Sequence, residues 1–93
     1  MKMIIVIIKD NETEALTRAL ISKQYRVTGI ASTGGFLRSG VATLLIGVED
    51  VQVDPAIALI HETLAISNSA GREERSEKRA TLFVVPVSRF EQL

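Results

Sequence analysis

Arg26-Val-Thr-Gly-Ile-Ala-Ser-Thr-Gly-Gly-Phe-Leu-Arg-Ser-Gly-Val-Ala-Thr-Leu-Leu-Ile-Gly-Val48 holds two strand-like segments with no helical period between them. Residues 25–32 alternate partly and predict one strand, and the apolar run at 43–48 predicts the next. The loop between them is rich in glycine, hydroxyls and arginine. Glycines let backbone N–H groups approach an anion. Hydroxyls and guanidinium groups suit phosphate, and Phe36 adds an apolar face. With Arg26 and Thr28 on the preceding strand, the pattern fits a planar, anionic ligand such as a nucleotide. An ordinary turn-rich loop is the bland alternative.

Outward from that pair, the rest of the fold follows. Met3-Ile-Ile-Val-Ile-Ile8 is a β-branched run that reads as a buried strand. Asn11 with Glu14 predicts a capped helix start, and Ala15, Leu16, Ala19 and Leu20 share one face of a helix ending near Lys23. Asp54-Pro55 predicts a second helix start, with Ile57, Ile60 and Leu64 on its inner face. Residues 65–78 lose the apolar period and read as a loop or frayed extension. Residues 81–85 form a fourth strand closed by Pro86, and 88–93 a short tail with one helical turn at most. The order βαββαβ predicts a single α+β domain over residues 1–93. It is ferredoxin-like, a four-stranded antiparallel sheet with both helices on one face. Residues 3–8, 44–46 and 82–85 are apolar at consecutive positions, so both sheet faces are apolar. Two helices cover only one, and the other is expected to be buried by oligomerisation.

The 93 residues suit one small core, and charge is balanced at eleven cations and eleven anions. That balance argues against an electrostatic grip on DNA or an anionic membrane. With no cysteine, disulfide, thiolate and zinc–cysteine chemistry is excluded. The apolar start is too short for a signal peptide and is followed by Lys9-Asp10, so a cytoplasmic protein without membrane insertion is expected. His61 falls on the Ile57–Ile60–Leu64 face and reads as a packing histidine. No carboxylate pair suggests acid–base catalysis, and no metal site or catalytic residue is assigned.

Arg26-Val-Thr28, Ala31-Ser-Thr-Gly-Gly-Phe-Leu-Arg38, Leu45-Ile-Gly-Val-Glu-Asp50 and Ala80-Thr-Leu-Phe-Val-Val-Pro-Val87 resemble the PII-like cyclic-di-AMP receptor proteins. The resemblance implies a homotrimer with apolar sheets packed centrally and a ligand site in each intersubunit cleft. It implies a non-enzymatic signalling protein that relays its state through loops to a partner protein the sequence does not name. By resemblance, Arg26 and Thr28 approach phosphates and one adenine, Gly35, Phe36 and Leu37 enclose a base, and Gly47 permits close approach. Phe83 and Gln92 match a stacking group and a polar contact, and Arg38 is a further candidate phosphate contact. Val41 stands where the family usually carries an asparagine whose amide reads an adenine edge, and Gln24 where asparagine is common. The segment 67–78 is shorter than its family counterpart. The expected ligand is cyclic-di-AMP, with no other cofactor. Alternatives are AMP, ADP, ATP or another anion, a ligand-free interaction subunit, or a small enzyme.

Overall fold

A computed structural model describes residues 1–31, 40–67, 80–89 and 91. The elements run β1 (Lys2–Lys9), α1 (Thr13–Ser22), β2 (Arg26–Ala31), β3 (Val41–Val48), α2 (Val53–Ser67) and β4 (Ala80–Pro86). All pairings are antiparallel, in the order β2-β3-β1-β4. The expected ferredoxin-like arrangement is therefore present, with β1 and β3 central.

Period-two alternation sorts each strand between the faces. Ile4, Val6 and Ile8 of β1 and Leu44, Ile46 and Val48 of β3 are buried against Leu16 and Leu20 of α1 and Ala56, Ile60 and Leu64 of α2. Each such Ile or Leu contributes roughly 1.5–3 kcal/mol by leaving water. The opposite residues are also apolar. Met3, Ile5 and Ile7 are only half-buried, and Ile30 and Phe83 are 45% and 51% exposed. Among the described residues, no helix lies over that face.

Both helix starts differ from the sequence expectation. The chain leaves β1 through a 3-10 turn, Asp10–Glu12, so Asn11 lies inside the turn and Glu12 takes the cap position of α1 without a side-chain capping bond. A second 3-10 turn, Asp50–Gln52, precedes α2, and the Glu49 N–H donates to Gln52 Oε1 at 2.8 Å. Helix α2 thus begins at Val53, and Asp54 and Pro55 fall within its first turn. Proline costs nothing there, because those N–H groups lack intrahelical partners anyway. Helix α2 runs to Ser67, in keeping with the frayed-extension reading of the residues from 65 on. His61 is exposed rather than packed, because α2 turns Ile60 and Leu64 inward and leaves their neighbour at the rim. In the tail, Ser88, Arg89 and Glu91 are not helical.

The end of α1 fixes where β2 begins. The Tyr25 N–H donates to the Leu20 carbonyl at 3.0 Å and the Gln24 N–H to the Ile21 carbonyl at 2.8 Å. This paired closure needs a left-handed residue between helix and strand. Gln24 fills it at φ 69°. A side chain with a Cβ is strained there by about 1–2 kcal/mol. Gln24→Gly is expected to raise Tm by several degrees, since about 1 kcal/mol corresponds to roughly 4–8 °C in a domain this small. Calorimetric melting checks it, and an unchanged or lower Tm would mean that the side chain compensates the strain.

Candidate functional site

The register aligns side chains across the uncovered face in rows. Arg26, Gly47, Met3 and Val85 form one row. Thr28, Leu45, Ile5 and Phe83 form the next. Arg26 and Thr28 lie on an edge strand and are exposed, a placement that keeps a cation hydrated while its backbone pairs with β3. A depression of about 800 Å³ opens at this end of the face, lined by Arg26, Thr28, Gly47, Leu45, Met3 and Met1 among others. Its floor is apolar and its β2 wall carries guanidinium and hydroxyl donors. A Cβ built on Gly47 would meet nothing within 4 Å. The glycine leaves open space between Arg26 and Met3, so a ligand can lie directly on the strand.

The first residues are tied at the rim. The Val87 N–H donates to the Met1 carbonyl at 3.0 Å, and the Lys2 Nζ donates to Asp50 Oδ1 at 3.0 Å. The amino group of Met1 lies 3.4 Å from the same oxygen. The Lys2 hydrogen bond, followed by that of the amino group, holds the Asp50 carboxyl below its ordinary value. A depressed carboxyl stabilises the fold above its unfolded pKa and loses that contribution as pH falls through the folded one. Asp50 is solvent-exposed and its two partners are partly so, and the tether positions the segment more than it stabilises it.

Of the residues singled out in the sequence, Arg26, Thr28 and Gly47 come together at this depression. Val41 and Phe83 share the face but not the depression. Val41 and Gly47 are near opposite ends of β3, about 20 Å apart at the rise of a strand. Phe83 lies three strand spacings from Thr28, about 14 Å away. Gly35, Phe36, Leu37, Arg38 and Gln92 lie outside the described residues. Sequence reading missed Met1, Met3, Leu45 and Val87 as lining residues. Alternation carried the signal for Met3 and Leu45, because both fall on the face opposite the core. A smaller hollow of about 320 Å³ lies between α2 and β4, beside His61 and Leu82. Among the described residues, no helix is long and apolar enough to cross a membrane.

Comparison with known proteins adds an independent line. The chain is similar to a protein of unknown function from Pediococcus pentosaceus ATCC 25745, whose crystal structure superposes with a TM-score of 0.70. The two are 31% identical, and the match covers 99% of this chain and 96% of the other. The family model described as cyclic-di-AMP receptor matches residues 1–70. That span runs from β1 past the end of α2, so it includes Arg26, Thr28 and Gly47 and three of the four strands. The chain belongs to the cyclic-di-AMP receptor family.

Proposed function

We propose that this chain is a non-catalytic signalling protein that binds cyclic-di-AMP in clefts between the subunits of a homotrimer and relays its occupancy through the flanking loops. The observation that carries this reading is the depression that joins Arg26, Thr28 and Gly47 on the uncovered sheet face. The guanidinium supplies a planar donor fork for a phosphate, and the Thr28 hydroxyl a second donor. Met3 and Leu45 give a base an apolar bed, and the bare backbone at Gly47 lets it settle. Among the described residues, the lining side chains include no carboxylate or imidazole to move a proton, which favours binding over catalysis.

The intersubunit placement draws its support from geometry. The segments 32–39 and 68–79 both join the sheet at the Ala42–Ala80 end, whereas Arg26 and Gly47 lie at the other end. Residues so far apart on one chain converge more readily when one copy presents its loop end to the depression of another. The uncovered apolar face gives the copies a reason to associate. A second reading keeps the scaffold and changes the ligand to AMP, ADP or ATP. Val41 favours it, because a valine side chain cannot hydrogen-bond an adenine edge, and a mononucleotide has one adenine to read where cyclic-di-AMP has two.

Calorimetric titration with cyclic-di-AMP, AMP, ADP and ATP, paired with sedimentation equilibrium at micromolar protein, tests both readings. The expected result is a trimer that binds cyclic-di-AMP more tightly than any mononucleotide. Preference for a mononucleotide selects the second reading. A monomer that binds none of them defeats both.

A further inference from the structure

We infer that Met3, with Met1 beside it, is an oxidation site whose conversion to the sulfoxide closes the depression to its ligand. The closure rests on the reading of the depression as the nucleotide site. The chain contains two methionines and no cysteine, so it carries only two sulfur atoms. Both methionines line the same depression. Met1 is 41% exposed at its rim, and Met3 is half-buried at its floor. Met3 pairs directly with Gly47, whose missing side chain leaves the space beside it open. A base lying on Gly47 would meet the Met3 thioether, a favourable sulfur–aromatic contact.

Hydrogen peroxide is the oxidant class that fits a cleft open to small solutes. A lone pair of the thioether sulfur attacks one peroxide oxygen. The S–O bond forms as the O–O bond breaks, and after proton transfer the second oxygen leaves as water. Sulfur is oxidised by two electrons and the peroxide is reduced by two. The product is polar and chiral where the side chain was apolar. At Met3 that dipole stands beside Leu45 and Val87, where a base would have to strip its water without replacing it. Linkage also runs in reverse, because a ligand seated on Gly47 shields the sulfur.

The test treats the folded full chain with hydrogen peroxide, with and without cyclic-di-AMP, and maps the sulfoxides by peptide mass. Cyclic-di-AMP affinity is measured before and after treatment in wild type and in Met3→Leu. Circular dichroism confirms the fold at each stage. The expected result is sulfoxide at Met3 in the folded protein, slower formation with ligand present, and a loss of affinity of about tenfold or more. Whatever affinity Met3→Leu starts with, peroxide should change it far less than it changes wild type. Three outcomes overturn the inference: Met3 intact after Met1 is fully converted, unchanged affinity with Met3 fully oxidised, or loss of binding only through unfolding. If untreated wild type binds no cyclic-di-AMP, the functional reading fails and the closure fails with it. The rate of conversion at Met3 then still decides whether the oxidation site exists.

Discussion

Gly47→Leu is expected to leave the sheet folded and to abolish nucleotide binding. The two halves of this result have separate causes. A Cβ at Gly47 meets no atom within 4 Å, and its backbone is not among those with positive φ, so a side chain enters without clash or strain. Strand interiors also disfavour glycine, so leucine is neutral or stabilising within a range of about 1 kcal/mol. The same side chain occupies the space between Arg26 and Met3 that a base would need. An overlap of that kind in a pocket costs binding more than about a hundredfold, or roughly 2.8 kcal/mol. Thermal melting and calorimetric titration measure the two halves, and sedimentation separates a blocked cleft from a disturbed assembly. Tight binding by a folded variant would show that no ligand group lies on Gly47.

Arg26→Ala is expected to weaken binding of a phosphate-bearing ligand by roughly ten- to a hundredfold while the fold persists. A charge-assisted hydrogen bond to phosphate is worth about 1.5–3 kcal/mol, which gives that range. Arg26 is exposed on an edge strand, so its truncation removes little packing. Arg26→Lys should fall between the two, because lysine keeps the charge and loses the planar fork. Titration at two salt concentrations is the measurement. Wild-type affinity in the alanine variant, with circular dichroism unchanged, removes Arg26 from the site.

The fold was readable because its strongest signals are long and redundant. Six consecutive apolar residues at 3–8 can only be a strand buried on both sides or a short buried helix, and the flanking polar residues favour the strand. The helix starts were misread for a local reason. Asn11 and Asp54 have the right chemistry for a cap, but a 3-10 turn before each helix moves the true start by a residue or two. Tertiary placement decided His61, since a residue at the margin of an apolar stripe can face either way. Arg26 and Thr28 were legible as candidates because two donors precede a glycine-rich loop, and Gly47 only through the family resemblance. Met3 was not, because a methionine inside an apolar run looks like packing until the register sets it opposite Gly47.

The place of β1 in the sheet has a consequence for how the protein is made. Its register joins Lys2 to Val48 on one side and to Pro86 on the other, so β1 pairs with two strands, β3 and β4, that are both synthesised after it. A ribosome therefore releases the most apolar segment of the chain long before its second edge can be covered. Such long-range pairing slows folding, and a bare apolar strand invites aggregation meanwhile. A nascent chain stalled before Ala80 would keep one side of β1 unpaired. Pairing of β4 is thus the step that covers the second edge of β1 and removes that edge from misassembly.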